Sequence, residues 1–385
     1  MGKGGGLANN KRMLRIGVDV SMLSDQQQTG VGRYTYEILS RVVSMGHEWF
    51  LYSYRPLAVG NWMQKNVHLH IGQLPKSMMR MLWLQTAVPV MAARDKVDVF
   101  WSPTHRLPSM LPRRIARVVT IHDLVWKHAG ETMRPFSRWL DATLMPEAVR
   151  IADRVIANSA HTAKDVLSEM PYAEGKLSQI LLGVSNLAPA GEFSSLKVIG
   201  LDAPYFLFVG TLEPRKNLAG LIEAYSRLPE ELKNCALLAI VGGKGWGGVD
   251  VAAVAEKFDV QDRIWVLGYV SDEQLATLYE HAMFLAMPSF YEGFGLPLLE
   301  AMSRGTPVLT SNFASMPEVA GDAGLLVDPH DIDSITRALR TFLGDETFVR
   351  NLGLRAIINA QRFSWELTAQ QTLHVIEDAV QSHKK

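Results

Sequence analysis

The chain has 385 residues, of which 48% are hydrophobic and 20% charged, and its 39 basic and 39 acidic side chains give a formal net charge of zero. The length suggests two domains or one large one, and the composition is typical of a soluble protein with ample core. The neutral balance gives no sign of nucleic acid as a partner, and we expect none. The single cysteine, Cys235, excludes an internal disulfide and favours a reducing, cytoplasmic compartment.

Residues 1–13 predict a disordered tail, because Met1–Gly6 lacks the apolar core of a signal peptide. The most apolar stretch, Met81–Ala93, is too short to span a bilayer and is interrupted by Gln85 and Pro89. We therefore expect a protein that crosses no membrane.

The first half of the chain alternates short apolar strands with helices. Leu14–Val20 predicts the first strand, and the glycine-rich turn Thr29-Gly-Val-Gly-Arg-Tyr34 opens the first helix. Gly30 and Gly32 allow a ligand to approach the backbone closely, although a tight turn without a ligand would have the same sequence. The alternation predicts a parallel sheet with right-handed crossovers. Four more strands are predicted at Trp49–Tyr54, Val67–Ile71, Val97–Trp101 and Val118–Ile121.

His122 and Asp123 directly follow the strand Val118–Ile121. Ligands of parallel sheets gather at the carboxyl ends of the strands. A single histidine is more often a structural hydrogen-bonding group, but a place at a strand end beside an acid makes His122 a candidate for the active centre.

Two apolar segments, Lys76–Leu84 and Arg134–Trp139, contain interspersed basic residues. One interpretation is a helix that packs on the core and keeps its basic side chains in solvent. The other is a membrane-surface patch, which predicts peripheral contact with the inner face of the cell membrane.

The periodicity lapses between Ser185 and Pro204, which we interpret as an interdomain linker. A second alternating half begins at the strand Tyr205–Val209 and continues at once into Gly210-Thr-Leu-Glu-Pro-Arg-Lys-Asn217. Arg215 and Lys216 therefore stand just after a strand end. Two cations there can neutralise a pyrophosphate, arginine through its bidentate fork and lysine as a point charge.

A glycine-rich loop at residues 242–248 follows the strand Leu237–Val241 and contains the pattern G-x-G-x-x-G. This pattern raises a dinucleotide-binding alternative, which requires an acid at the end of the next strand to hold the ribose. The next strand, Ile264–Leu267, ends in Gly268-Tyr269. The missing acid argues against a dehydrogenase.

The stretch Ser289–Ser303 predicts a strand end, a glycine loop and a helix that starts near Pro297. The amides at such a helix start favour a phosphate. Glu292 and Glu300 frame the loop, and sugar hydroxyls are suitable partners for carboxylates beside a phosphate. An ordinary helix start with two solvated acids is the alternative.

Glu292 and Glu300 match the E-x7-E signature of the retaining glycosyltransferases of family 4, which the chain resembles from Ile16 to about Ala369. The resemblance implies an α/β fold of the GT-B class, with two Rossmann-like domains whose parallel sheets face each other across a cleft. The parts would be a disordered tail at 1–13, an acceptor-side domain at 14–185, a linker at 186–203, a nucleotide-sugar-binding domain at 204–362 and, at 363–385, a C-terminal helix that crosses back to the first domain.

The resemblance also implies the reaction. A sugar would be transferred from a nucleotide diphosphate donor to a glycan or polyprenyl-linked acceptor, and its anomeric configuration would be retained. Arg215, Lys216 and the amides of residues 293–296 would meet the charge of the departing diphosphate. Glu292 would hold the transferred sugar and Glu300 the ribose. The implied catalytic residues are His122, Glu292, Arg215 and Lys216, and the implied donor-binding residues are Gly30, Gly32, Gly210, Arg215, Lys216, Tyr269, Val270, Glu292, Gly293, Phe294, Gly295, Leu296 and Glu300.

No cluster of His, Cys or Asp has metal-ligand spacing, so we expect transfer without a metal and without any other cofactor. The segments Gly210–Asn217 and Pro317–Pro329 most resemble mannosyltransferases that build bacterial surface polysaccharides, and this favours GDP-mannose as the donor. A UDP-sugar is the first alternative. A sugar-nucleotide epimerase and a non-catalytic sugar-binding subunit are alternatives of other classes.

Overall fold

The computed structural model describes residues 12–24, 29–58, 64–74, 79–184 and 188–383. The predicted tail lies outside them except for its last two residues, and so do Lys76–Met78 and the first two residues of the predicted linker. The chain divides into two compact units. Unit 1 comprises Met1–Thr120, Ala148–Ile156 and Ala369–Lys385, and unit 2 comprises Ile121–Glu147 and Ala157–Thr368. The predicted domain boundaries stay predictions.

In the part of the chain that the structure describes, the first sheet has seven strands in the order β3-β2-β1-β4-β5-β6-β7, and its pairings from β3 through β5 are all parallel. Its strands are β1 Arg15–Asp19, β2 Glu48–Ser53, β3 Val67–Ile71, β4 Val99–Ser102, β5 Ala116–Ile121, β6 Arg154–Ala157 and β7 Leu177–Gln179. The helices of this half are α1 Gly30–Val42, α2 Met79–Arg94, α3 Val125–His128, α4 Pro135–Ile151 and α5 Ala160–Glu169.

The second sheet lies in unit 2 and has six parallel strands in the order β10-β9-β8-β11-β12-β13. This is the 3-2-1-4-5-6 order of the Rossmann fold. Its strands are β8 Tyr205–Val209, β9 Leu237–Val241, β10 Ile264–Gly268, β11 Leu285–Met287, β12 Val308–Ser311 and β13 Gly324–Val327. The helices are α6 Leu218–Ser226, α7 Glu230–Lys233, α8 Val251–Lys257, α9 Asp272–His281, α10 Leu296–Ser303, α11 Met316–Ala320, α12 Ile332–Gly344, α13 Glu346–Ala360 and α14 Trp365–His383.

The central strands of the second sheet are apolar along their whole length because helices cover both faces of the sheet. Phe206 and Phe284 stack at a centroid distance of 5.0 Å, and Phe342 of α12 stacks on Phe284 at 4.3 Å. All three side chains are buried. This core fixes the strand ends that carry the candidate site.

From Ala369 onward α14 belongs to unit 1, where two side-chain contacts hold it. Asp378 accepts from the Nε of Arg154 at 2.6 Å, and His383 lies 2.9 Å from Asp153. Among the helices that the structure describes, none combines the length and the apolar character of a membrane span.

Candidate active site

The site lies at the centre of the second sheet, where the strand order reverses between β8 and β11. In a doubly wound sheet this switch point leaves a crevice at the carboxyl ends of the two strands, and ligands bind there. Strand β8 continues into Gly210–Asn217, and β11 continues into Pro288–Gly295. The two segments singled out in the sequence therefore meet at one edge of the sheet.

Three charged side chains form an ion cluster at this edge: Arg215, Lys216 and Glu292. Glu292 is only 6% exposed, its Oε2 lies 2.8 Å from Nη1 of Arg215, and its Oε1 accepts from the Nζ of Lys216. Nη1 of Arg215 also donates to the carbonyl of Tyr291 at 2.7 Å. The expected partners of Glu292 are sugar hydroxyls, whereas the structure pairs this carboxylate with two cations of the same site.

A short 3-10 turn, Pro214–Lys216, aims both cations at Glu292. Asn217 ends that turn in a left-handed conformation (φ 55°), and its Nδ2 donates to the carbonyls of Pro288 at 3.1 Å and Pro329 at 2.8 Å. The amide of Phe290 donates to the carbonyl of Arg215 at 2.9 Å. The loops after β8 and β11 are therefore tied together through their backbones, which fixes the ion cluster.

Burial and charge act in opposite directions on this cluster. Burial by itself raises the pKa of the Glu292 carboxyl, but Arg215 and Lys216 outweigh burial and bring that pKa down to about 2. Burial lowers the pKa of Lys216, against the attraction of Glu292. The pKa of Arg215 is raised, because Glu292 and Asp123 outweigh the opposite effect of burial. Glu292 is therefore ionised throughout the neutral range.

We expect acid to destabilise the protein through Glu292. Its pKa falls from an ordinary 4.5 to about 2 on folding, so its contribution is complete above pH 4.5 and is lost as the pH falls towards 2. The shift corresponds to about 3 kcal/mol of the free energy of unfolding. Urea unfolding of the wild type and of Glu292→Gln between pH 6 and pH 3 measures this contribution. The other carboxyls contribute to both proteins, so the difference between the two free energies of unfolding reports Glu292. Parallel pH dependences of the two proteins would contradict this assignment.

Two glycines of the loop after β11 are required by close packing. A Cβ on Gly293 would lie 2.0 Å from the carbonyl oxygen of His122, and one on Gly295 would lie 2.6 Å from Cε of Met316. Gly295 also has a φ of 97°, which glycine adopts without strain. The backbone of His122 and Asp123 therefore lies directly against the glycine loop, and α10 starts beside it.

The other predicted donor-binding residues of unit 2 surround this centre to different degrees. Gly210 packs beside Lys216, with a Cβ position 3.5 Å from Cε of that lysine. Glu300 is buried in α10 and accepts from the hydroxyl of Tyr279 at 2.9 Å. Leu296 is the first residue of α10 and half-buried, whereas the Phe294 ring is buried and packs edge-on against Phe363. Only the backbone of Phe294 is therefore a candidate for donor contact.

Four further predicted residues belong to elements other than the loops that carry the ion cluster. Tyr269 and Val270 follow β10 at the edge of the second sheet, and the tyrosine is exposed while the valine is buried. Gly30 and Gly32 lie in unit 1 at the start of α1, where the Thr29 hydroxyl accepts the amide of Gly32 at 3.3 Å. The roles of all of these residues stay predictions.

A polar cluster that is not among the predicted site residues lies next to Glu292. The hydroxyl of Tyr291 donates to Asp165 at 2.7 Å and accepts from the amide of Leu124 at 3.2 Å. The Nε2 atoms of His128 and His161 lie 3.2 and 3.3 Å from the same carboxylate. Burial raises the pKa of Asp165, but the neighbouring imidazoles of His161 and His128 and the hydrogen bond from the Tyr291 hydroxyl lower it overall. In the sequence, the local pattern that indicates this cluster is the four-residue spacing of His161 and Asp165 on one helix.

A second set of contacts holds the backbone of Glu292. The hydroxyl of Ser315 donates to the Glu292 carbonyl at 2.8 Å. Glu318, one turn further along, accepts from the amide of Ala160 at 2.9 Å and from Nε2 of Gln179 at 3.0 Å. The segment Asn312–Glu318 therefore supports the residue that the E-x7-E signature singles out.

Within the residues that the structure describes, no three His, Cys, Asp or Glu side chains are placed to hold a metal ion. The statement that no cluster in the sequence has metal-ligand spacing is wrong for one D-x-D triplet, Asp331-Ile332-Asp333, whose spacing could supply metal ligands. The Oδ1 of Asp331 accepts from the amide of Asp333 at 2.9 Å, and Oδ1 of Asp333 pairs with Arg227 at 2.8 Å. In the structure the triplet caps α12.

Two family models match the chain: "Glycosyltransferase Family 4" over residues 28–185 and "Glycosyl transferases group 1" over residues 194–362. Solved structures have the same fold. Sucrose-phosphate synthase from Thermosynechococcus elongatus superposes with a TM-score of 0.77 at 21% identity, over 95% of this chain and 99% of that chain. WaaG, a glycosyltransferase involved in lipopolysaccharide biosynthesis, superposes with a TM-score of 0.74 at 18% identity, over 94% and 99%. The fold is GT-B, as predicted.

Relatives at higher identity define the family. O-antigen chain mannosyltransferase B of Escherichia coli is 35% identical over 290 residues, which are 74% of this chain and 75% of that protein. Serotype-specific mannosyltransferase WbdA of Escherichia coli is 31% identical over 61% of this chain but only 30% of its own length. D-inositol 3-phosphate glycosyltransferase of Streptomyces avermitilis is 31% identical over 66% of this chain and 58% of its own length.

The chain belongs to glycosyltransferase family 4 and is a glycosyltransferase. Glycosyltransferases of this kind bind a nucleotide-sugar donor and a glycan acceptor. The predicted fold and enzyme class are thereby confirmed.

Proposed function

We propose that the chain is a retaining mannosyltransferase that moves mannose from GDP-mannose to a glycan or polyprenyl-linked acceptor during synthesis of a bacterial surface polysaccharide. The names of two relatives, an O-antigen mannosyltransferase and the mannosyltransferase WbdA, support the sugar. The observation that carries the chemistry is the ion cluster, because Arg215 and Lys216 converge at the switch point, where a donor diphosphate would lie.

The reaction needs stabilisation of the departing diphosphate. The bond between the anomeric carbon and the diphosphate oxygen breaks, the acceptor hydroxyl oxygen bonds to that carbon on the same face, and its proton leaves with the diphosphate. Preorganised cations and amides aimed at the developing charge lower this barrier. Arg215, Lys216 and the amides at the start of α10 would supply them, and Glu292 would hold hydroxyls of the transferred sugar. We assign His122 to the sugar or the acceptor.

We expect GDP to bind at least tenfold more tightly than UDP. A mispaired buried polar group on the base edge costs about 1–3 kcal/mol, and 1.4 kcal/mol corresponds to a factor of ten. Calorimetric titration of both nucleotides measures the ratio, and transfer from GDP-mannose should persist in EDTA because the proposal needs no metal. If UDP bound tenfold more tightly, the donor would be a UDP-sugar and the mannose assignment would be wrong. A donor-only reaction measured in parallel separates transfer from epimerisation.

We also propose peripheral membrane contact through Lys76–Leu84, of which Met79–Leu84 is described. Leu82 is 62% exposed, whereas Trp83 and Leu84 are buried, so one face of α2 packs inward and the other meets solvent. Nη2 of Arg80 lies 3.2 Å from the buried Asp19. Reversing the charge of Arg80 would therefore affect the stability of the fold as well as membrane binding.

We expect Leu82→Ser to lower the fraction of protein that sediments with anionic liposomes, and that fraction to fall with salt. Leu354→Ser on α13 is a matched control, because Leu354 is exposed to the same degree but lies in unit 2. Equal sedimentation of Leu82→Ser and the wild type would show that the segment does not contact the membrane.

A further inference from the structure

A cavity of about 460 Å³ in unit 2 is lined by two tryptophans, Trp139 of α4 and Trp246 of the glycine-rich loop. Trp139 is 61% exposed and Trp246 is 39% exposed. Met133 and Pro135 complete an apolar surface, and Glu131 and Arg138 add one charge of each sign. Large exposed aromatic side chains that share one concave surface indicate a binding site.

The walls of this cavity continue the loops of the ion cluster. On one side, Trp246 follows Gly245, which packs so closely on Glu213 that a Cβ would lie 2.5 Å from its Cγ. The Glu213 carboxylate lies 3.5 Å from Arg215. The other wall begins at Gly130, shortly after α3, and the residue before α3 contacts the site because the amide of Leu124 donates to the Tyr291 hydroxyl. A ligand in the cavity would therefore adjoin the proposed donor site.

The lining matches a carbohydrate better than a lipid chain or a nucleotide base. A sugar ring offers an apolar C–H face to an indole and a rim of hydroxyls to a carboxylate and a guanidinium. A lipid chain would desolvate Glu131 and Arg138 and offer them no hydrogen-bonding group, which costs free energy even though Nε of Arg138 donates to the carbonyl of Trp126 at 3.3 Å. The base of the donor needs fixed groups that read one edge, which two indole faces do not supply. The volume falls within the ~300–1,000 Å³ of small-molecule sites, which is room for an oligosaccharide.

We propose that this cavity is the acceptor subsite, in which Trp139 and Trp246 stack on sugar rings of the acceptor glycan. The inference rests on the proposed function, because it takes the acceptor to be a glycan. The two tryptophans set the affinity for the acceptor, and they leave the affinity for the donor and the rate of the chemical step unchanged.

The test compares Trp139→Ala, Trp246→Ala and the double variant with Trp265→Ala. Trp265 is a matched control because it is 41% exposed on β10 and its indole Nε1 donates to the carbonyl of Ile199 at 3.2 Å, outside the cavity. With saturating GDP-mannose and a mannose-terminated trisaccharide as acceptor, each cavity variant should raise the acceptor KM about tenfold or more, as truncation of a tryptophan hot spot does. The kcat, the donor KM and the melting temperature should match those of the control.

Binding of the trisaccharide is measured independently of turnover by saturation-transfer NMR, with glucose- and galactose-terminated trisaccharides in parallel. The wild type should bind one of them and the double variant should not. Unchanged acceptor KM, a rise in donor KM, or no trisaccharide bound to the wild type would overturn the proposal. So would loss of vesicle binding with unchanged acceptor KM, which would identify a lipid contact. If the wild type uses another nucleotide-sugar, GDP-mannose is not the donor and the proposed function is wrong in that respect. The acceptor KM of the same variants, measured with that other donor, then still tests whether the cavity binds the acceptor.

Discussion

Replacing both Arg215 and Lys216 with alanine is expected to lower the rate of sugar transfer by at least three orders of magnitude. Removal of one preorganised group that stabilises transition-state charge costs about 3 kcal/mol, and the departing diphosphate would lose both of its cations. The structure adds a second cost, because the buried Glu292 would keep its charge with neither partner. An uncompensated buried charge destabilises a protein by about 3–5 kcal/mol. Initial rates and urea unfolding measure the two effects separately.

Two further variants separate catalysis from folding. The triple variant Arg215→Ala, Lys216→Ala, Glu292→Gln removes the unpaired charge, so it should recover much of the stability and none of the transfer. The pair Arg227→Ala, Lys233→Ala is the matched control, because these cations pair with acids on the exposed surface around α6 and α7. Turnover near that of the wild type in the double variant of the site would show that Arg215 and Lys216 do not meet the diphosphate.

The main elements of the fold follow from local patterns. Short strands of three to six residues alternate with helices, and that alternation leads to parallel sheets with the order seen here. Because the carboxyl ends of parallel strands meet at one edge, the sequence also placed Arg215 and Lys216 near the loop of Glu292. Strand β11 is shorter than the apolar run Met283–Met287, since only its last three residues pair in the sheet.

The contacts within the site could not be predicted in the same way. The expected roles are separate, with the cations at the diphosphate and Glu292 at the sugar, whereas in the structure both cations pair with Glu292, Arg215 at 2.8 Å. Local spacing says nothing about such a pairing between segments 76 positions apart. The hydrogen bond from Tyr291 to Asp165 joins residues 126 positions apart, so no periodic pattern in the sequence indicates it.

The pairing within the ion cluster leads to a prediction in which binding and turnover change in opposite directions. Arg215 and Lys216 are both engaged by Glu292, so a donor diphosphate must share these cations with a carboxylate or displace it. Glu292→Gln removes the competing charge and keeps the side-chain shape. We therefore expect GDP to bind about tenfold more tightly, a gain of about 1.4 kcal/mol.

Transfer by Glu292→Gln should nevertheless fall at least a hundredfold, because the amide cannot hold the sugar hydroxyls as a carboxylate does in the transition state, and charged hydrogen bonds are about twice as strong as neutral ones. Calorimetry with GDP and initial rates with GDP-mannose measure the two changes on one preparation. Glu280→Gln is the control, because that acid pairs with Arg304 on the exposed surface and neither quantity should change. Weaker GDP binding by Glu292→Gln would show that the carboxylate orders the cations for the diphosphate instead of competing with it. Unchanged transfer would remove Glu292 from the catalytic residues.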